Sequence, residues 1–190
     1  MADTLHDTPA QDERLKFKAS DVRAMIEQGI LDADGRYEVI DGEIWVMQAH
    51  NPPHMRVKRW VLSELFDQVG KRCWIDSEPS FYVEDDGDFT APDIIVYPRS
   101  AEPHLVRGED ALLVVEVAAS SLKKDLVLKR ALYARHGVRD YWVIDADTRM
   151  THVHRRPTNG DYREVIEVAP TETLEPAFVE GVTLRLNDIG

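Results

Sequence analysis

Two acidic residues and one lysine carry the chemistry that this sequence suggests. Asp93 lies at the start of the apolar run IIVYP, and Glu116 lies inside the apolar run LLVVEVA. Lys129 follows in a helix-like segment. Adjacent strands could bring both carboxylates to one edge of a sheet, with the ammonium nearby. Hard oxygen ligands beside a cation suit Mg²⁺ and a phosphodiester substrate.

Each of these residues also has an ordinary structural explanation. Asp93 follows a proline, and Pro-Asp often forms a turn at a strand entry. Glu116 would be buried unless it is paired, so a structural ion pair explains it as well as a metal does. Lys129 lies four residues after Asp125, the spacing of an exposed helical ion pair. The three residues point to a site only in combination.

Hydrophobic patterning indicates which elements position these residues. The sequence RYEVI-DG-EIWVM predicts a β-hairpin around Asp41-Gly42. We predict a short helix that Ser20 caps, a long helix from His54 to about Lys71, and a helix from Leu122 to His136 that Gly137 ends. Strands are expected at CWID, SFYV, IIVY, LLVVEV and RDYWVID, a late hairpin at MTHVHRR and YREVIEV, and a weak strand at VTLRL. A helix between the strands LLVVEV and RDYWVID suggests a parallel crossover. The fold class is therefore α/β (α+β), with a mixed central sheet, flanking helices and hairpins at the periphery.

Composition restricts the class of protein. The chain has 190 residues and a net charge of -12. We expect a polar, disordered tail over 1–13 and one domain over 14–190. The acidity lowers the expectation of tight, sequence-independent DNA binding, which depends on Lys and Arg contacts to phosphate. No apolar stretch is long enough to span a bilayer, and the single Cys73 fits a reducing cytoplasm.

Histidines give a weaker signal. His50 and His54 are four residues apart, but Pro52 and Pro53 intervene, so we expect no zinc site there. His152 and His154 share one strand face without a visible third ligand, and we expect both to be solvated.

Taken together and in order, these segments resemble a known family. The hairpin RYEVIDGEIWVM, the His54 helix, PDIIVYP, LLVVEVAASS and GVRDYWVID resemble the restriction endonuclease family of the Uma-two type, within the PD-(D/E)XK nuclease superfamily. The resemblance covers about residues 15–147. It implies a restriction-endonuclease-like fold and Mg²⁺ (or Mn²⁺) bound by Asp93 and Glu116.

The resemblance also assigns roles to single residues. The superfamily has a lysine two residues after the glutamate, where this chain has Ala118; Lys129 matches a lysine that the family has moved to the next helix. Glu38 matches a further family acid that joins the catalytic set. His54 matches a family position, and we expect it to be accessory to the site.

Two further accessory residues come from the helix of Lys129. Asp125 and Tyr133 extend its stripe of polar residues toward the expected cleft. We expect DNA to be the partner of the site, and we expect no association with a membrane. Whether the chain is a monomer or a homodimer stays open. Two functional alternatives to an endonuclease stay open: a degenerate nuclease fold that binds nucleic acid or protein without cutting, and a small-molecule or structural role for the same scaffold.

Overall fold

The structure is a computed structural model that describes residues 14–83 and 86–190. The helices are α1 (Ala19–Glu27), α2 (Pro52–Val69), α3 (Leu122–Lys124) and α4 (Arg130–Arg135), with a π-helical segment (Asp125–Lys129) between the last two. The strands are β1 (Tyr37–Ile40), β2 (Glu43–Val46), β3 (Cys73–Asp76), β4 (Phe81–Tyr82), β5 (Phe89–Thr90), β6 (Ile94–Pro98), β7 (Leu113–Ala118), β8 (Asp140–Asp145), β9 (Thr151–Thr158) and β10 (Asp161–Val168). Short 3₁₀ helices lie at Pro103–Leu105, Gly108–Asp110 and Leu186–Asp188.

Some predictions fall outside this description. The tail over 1–13 lies outside the described residues, as does part of the loop at 84–88. The assignment of 14–190 to one domain stays a prediction. No helix in the described ranges has the length and apolar character that a membrane crossing needs.

The central sheet is mixed, as predicted. Its strand order is β10-β9-β8-β7-β6-β3. Strands β7 and β8 are parallel, and the helical run 122–135 connects them, whereas the other neighbours pair antiparallel. All six residues of β7 are buried, which explains its continuous apolar sequence.

The N-terminal hairpin belongs to a separate small sheet with the order β2-β1-β5-β4. Its turn is the predicted one: Asp41 and Gly42 have φ values of 58° and 75°, the left-handed conformation that a type I′ turn needs at both positions. Asp88 accepts hydrogen bonds from both turn N–H groups at 2.8 and 2.9 Å. The small sheet therefore adds a layer beside the central sheet instead of extending it.

Hydrophobic side chains pack on both faces of the central sheet. Helix α2 covers one face with Val57, Val61, Leu65 and Val69, all buried. The apolar spacing of the sequence places Phe66 on the same buried face, and this prediction is wrong, because Phe66 is 53% exposed. One residue corresponds to a rotation of about 100° in a helix, and Phe66 therefore points away when Leu65 points inward.

The helical run 122–135 and the small sheet cover the other face. The helix ends before Gly137, whose φ is 77°, as predicted. Its π-helical segment was not predicted. The Asp125 carbonyl accepts hydrogen bonds from the Arg130 N–H, five residues later, and from the Tyr141 hydroxyl at 3.1 Å. A tertiary contact therefore helps to stabilise the wider turn.

Three local predictions are corrected. Helix α1 has Lys18 at its N-cap, and Ser20 lies inside the helix with its side chain bonded to Asp86. The segment VTLRL forms a single bridge between Leu174 and Leu184. His154 is buried against Tyr141, where burial lowers the pKa of its imidazole to about 4. It is therefore a core residue, not a solvated one.

Candidate metal and catalytic site

A cleft of about 320 Å³ opens where the ends of β6 and β7 meet the starts of α2 and the helical run 122–135. The predicted site residues among its lining are Asp93, Glu116, Lys129, Asp125 and His54, and His50, Ser121, Lys124 and Trp45 join them. Glu38 and Tyr133 lie behind this lining and contact it directly.

Asp93 is anchored at the entry of β6. Its Oδ2 accepts a 2.8 Å hydrogen bond from the Val117 N–H and lies 3.0 Å from His54 Nε2. Burial alone would raise the pKa of Asp93, but the bond and charge of His54 and the Val117 N–H together lower it. Its Oδ1 accepts no hydrogen bond from the described residues. Asp93 is therefore a charged carboxylate whose Oδ1 accepts no hydrogen bond but faces the Lys58 ammonium at 3.6 Å.

Glu116 lies across from Asp93. Strands β6 and β7 pair Ile94 with Val115, so continuing the register by one residue brings Asp93 opposite Glu116. Glu116 Oε1 accepts hydrogen bonds from Lys129 at 2.9 Å and Tyr133 at 3.0 Å. Within the described chain, its Oε2 has no hydrogen-bond partner. Burial raises the pKa of Glu116 to about 8, although Lys129 opposes the shift.

Lys129 is buried at the end of the π-helical segment. Its Nζ lies 2.7 Å from Glu38 Oε1, 2.9 Å from Glu116 Oε1 and 3.8 Å from Asp125 Oδ1. Burial would lower the pKa of this ammonium, but the surrounding carboxylates raise it. Lys129 is therefore protonated at neutral pH. This position next to Glu116 agrees with the sequence-based expectation for Lys129.

Glu38 connects the small sheet to the site. It is completely buried in β1, where Lys129 and Lys124 contact its two oxygens and the Ala91 N–H donates to Oε1 at 3.2 Å. Burial would raise its pKa, but the two lysines lower it. Glu38 therefore keeps its charge and fixes Lys129.

The expected accessory residues also contact this group. Asp125 Oδ2 accepts a hydrogen bond from the Ser121 hydroxyl at 2.6 Å, and burial raises its pKa. Its Oδ1 is buried without a hydrogen-bond partner in the described chain. Tyr133 donates to Glu116 and lies 2.9 Å from the Thr90 hydroxyl. Lys129 thus contacts three carboxyl groups, of which Lys124 contacts only Glu38, so carboxyl groups outnumber ammonium groups in this cluster.

The structure brings His50 and His54 together, contrary to our expectation. Their rings stack with centroids 3.9 Å apart, and His50, His54 and Asp93 offer ligand atoms within 4.8 Å of one another. This His/Asp group could hold a metal ion. The intervening prolines do not prevent the contact, because they form the first turn of α2 and leave His50 to fold back from the preceding loop.

The sequence indicates Lys58 only as one of several basic residues that could hold DNA, and it does not indicate Glu78. Lys58 lies one turn after His54 in α2, with its Nζ 3.6 Å from Asp93 Oδ1 and in contact with Glu78. The i,i+4 spacing from His54 could have indicated Lys58. Glu78 gives no sequence signal: it follows β3 in a left-handed conformation with φ 53° and contacts His50, Lys58 and Arg36.

If DNA is the partner of this acidic chain, the sequence predicts a local positive rim built from Arg56, Lys58, Arg59, Lys123, Lys124, Arg130 and Arg135. Four of them are instead paired with acids of the same chain: Lys58 with Glu78, Lys124 with Glu38, Arg130 with Asp161 and Arg135 with Asp41. Only Lys58 and Lys124 of these contact the site. The local positive field is therefore weaker than the sequence indicated.

Comparisons with known proteins agree with the fold. A solved structure described as a putative nuclease belonging to DUF820 from Anabaena variabilis superposes with a TM-score of 0.66 at 19% identity, over 80% of this chain and 88% of that one. No curated protein matches the chain. At this identity the structural likeness supports the fold alone. The Uma2 family model, described as "Putative restriction endonuclease", matches residues 21–187, and the chain therefore belongs to the Uma2 family.

Proposed function

We propose that this chain is a metal-dependent endonuclease that hydrolyses phosphodiester bonds of DNA. The observation that carries the proposal is the pair of opposed carboxylates, Asp93 and Glu116, each with one oxygen free of hydrogen bonds from the described residues, and the buried Lys129 in contact with Glu116. Family membership supports nuclease chemistry in general. The metal, the substrate and the roles of single residues are our proposal.

The donor set fits a divalent cation. Asp93 and Glu116 supply the hard oxygens that Mg²⁺ or Mn²⁺ prefers, and the carboxylates of the site outnumber the lysine among them. A cation bound there would supply Lewis acidity toward a phosphate oxygen and acidify a water molecule. It would also offset the unfavourable free energy of a buried negative charge at Glu116. Burial without a bound cation raises the pKa of this residue.

Lys129 would stabilise charge and not remove a proton. Its pKa is raised by the carboxylates around it, so it has no free lone pair at neutral pH. In hydrolysis, water adds to phosphorus and the bond to one sugar oxygen breaks, while negative charge grows on the phosphoryl oxygens. The Lys129 ammonium is fixed at hydrogen-bond distance from the proposed metal ligand Glu116, and it would stabilise this negative charge. Glu38 and Asp125 would position it.

Trp45 and Lys124 support a nucleic acid as the substrate. Both line the cleft, and the Lys124 ammonium lies 5.8 Å from the Trp45 ring centroid. An aromatic ring beside a cation suits a base and its phosphate. DNA is the proposed choice within this class. A cytoplasmic location remains an expectation from the single, free Cys73, and homodimerisation also stays a prediction.

The test is cleavage of supercoiled plasmid by the purified chain with Mg²⁺ or Mn²⁺, with and without a chelator. We expect nicking that the chelator stops. Asp93→Asn and Glu116→Gln should abolish nicking and keep the fold, since each deletes a ligand charge at constant size. Asp147→Asn and Glu27→Gln change exposed acids outside the cleft and serve as matched controls. An active Asp93→Asn variant would refute the assignment.

Lys129→Ala tests the role of the lysine, with cleavage scaled to the folded fraction because loss of this buried cation also destabilises the chain. We expect slower cleavage with a smaller change in metal affinity, because the proposed interaction forms mainly in the transition state. Equal losses in cleavage and metal affinity would instead make Lys129 a positioning residue for the metal ligands.

The second candidate function is a non-cutting binding module. Two observations favour it: Ala118 stands in place of the superfamily lysine with its side chain buried in the core, and the lysines near the cleft are already paired with acids. A wild-type chain that binds Mg²⁺ and DNA oligonucleotides but never nicks plasmid would support this function over the nuclease.

A further inference from the structure

His50, His54 and Asp93 form a second group of metal-ligating side chains beside the two-carboxylate site. One potential ligand atom from each residue lies within 4.8 Å of the others. His54 and Asp93 are buried, whereas His50 is partly exposed at the mouth of the cleft. The group is thus assembled from the loop before α2, the first turn of α2 and the entry of β6.

The donor chemistry differs from that of Asp93 and Glu116. Imidazole nitrogens are borderline ligands, and two of them with one carboxylate suit Zn²⁺, Co²⁺ or Ni²⁺ better than Mg²⁺. We propose that this group binds a divalent transition-metal ion, with Asp93 shared between this site and the proposed carboxylate site.

An unpaired buried atom supports the assignment independently. His54 is buried, with only 5% of its surface exposed. Its Nδ1 atom nevertheless has no hydrogen-bond partner in the described chain. The Nε2 atom of the same ring lies 3.0 Å from Asp93 Oδ2, so Nδ1 is the ring nitrogen that lacks a partner. A buried ring nitrogen without a partner is unfavourable, and a metal ion that binds this imidazole would remove that cost.

The surroundings hold the group together and also limit its affinity. Glu78 contacts His50 and restrains its ring, as the outer partner of a metal-binding histidine does. Lys58 opposes cation binding, because its ammonium lies 3.6 Å from Asp93 Oδ1. Removing the Lys58 charge should therefore tighten binding of the transition metal, whereas removing a histidine should weaken it.

The experiment is a titration of the full chain with Co²⁺ alone, followed by visible absorption and by calorimetry, with Zn²⁺ as competitor. We expect ligand-field bands that Zn²⁺ abolishes. His50→Gln should lose the bands, because it removes one of the three ligands. Its affinity for Co²⁺ should fall at least tenfold, which corresponds to about 1.4 kcal/mol. Lys58→Met should bind more tightly than wild type. His152→Gln, which removes a histidine from β9, is the matched control and should bind as wild type does.

Further outcomes separate this inference from the proposed nuclease. Glu116→Gln should keep the Co²⁺ bands, because Glu116 is not one of the three ligands. Plasmid nicking in Mg²⁺ can fail while these bands persist, so the two proposals fail independently. Co²⁺ binding by His50→Gln with wild-type bands and affinity, or no Co²⁺ binding by the wild type, would overturn the inference. His54→Gln supplies a second ligand variant if His50→Gln is poorly folded.

Discussion

The ammonium of Lys129 lies 2.7 Å from the carboxylate of Glu38, and this buried pair connects the helical run 122–135 to the small N-terminal sheet. The same ammonium also contacts Glu116 in the central sheet. One side chain therefore joins both sheets. The stability of the layered structure and the geometry of the site depend on the same group.

Replacing Lys129 by Met should strongly destabilise the chain. The substitution leaves the buried carboxylates of Glu38, Glu116 and Asp125 without their shared cation, and breaking a buried pair typically costs about 3–5 kcal/mol. Urea unfolding at pH 7 measures the change in the free energy of unfolding. Lys71→Ala removes an exposed lysine and should change it by less than about 0.5 kcal/mol. A similarly small effect of Lys129→Met would contradict the importance of the pair.

The contribution of Glu116 to the stability of the metal-free chain should fall as pH rises from about 4.5 to about 8. The pKa of Glu116 is raised from 4.5 to about 8 by burial, so in this window the folded chain binds a proton that the unfolded chain has lost. The contribution of Glu116 is complete below pH 4.5 and is lost as pH passes 8.

Glu116→Gln isolates this contribution. As pH rises across this window, the free energy of unfolding of the variant should increase relative to that of wild type. The increase should reach up to about 1.4 kcal/mol per pH unit. Urea unfolding at each pH provides the values. A difference that does not vary with pH would mean that Glu116 is ionised throughout.

Binding of Mg²⁺ at pH 7 should release a proton. A Glu116 that is protonated in the unliganded chain must ionise to bind a metal, so affinity should increase from pH 6 to 8. Calorimetry in two buffers of different ionisation enthalpy counts the protons released. Glu116→Gln should bind more weakly and release none. If wild-type binding releases no proton, Glu116 is not a ligand or is already charged.

His154 should make the chain sensitive to acid. Burial beside Tyr141 lowers the pKa of its imidazole from 6.5 to about 4, so the unfolded chain binds more protons between these pH values and stability is lost as pH falls through the window. His154→Phe keeps an aromatic ring and cannot titrate. Its stability relative to wild type should improve from pH 6.5 to pH 4 in thermal unfolding experiments. An unchanged difference would contradict the shift.

Much of the site was visible in the sequence because its residues interrupt strong local patterns. Glu116 is a charge inside an apolar strand, Asp93 opens another strand, and Lys129 shares a helical stripe with Asp125. The Asp41-Gly42 turn and the termination at Gly137 were predictable for a similar reason, since backbone conformation at these positions depends mainly on the local residues.

The arrangement between distant segments was decided only in the folded chain. No local pattern indicates that Glu38 of the small sheet reaches Lys129, or that His50 stacks on His54 next to Asp93. The π-helical segment depends on the Tyr141 hydroxyl, which comes from the following strand. Periodicity specifies which face of an element is apolar, whereas the pairing of buried charges depends on which faces pack together. The sequence therefore determined the acids, the lysine and most of the elements, and tertiary packing determined their partners, their pKa values and the histidine group.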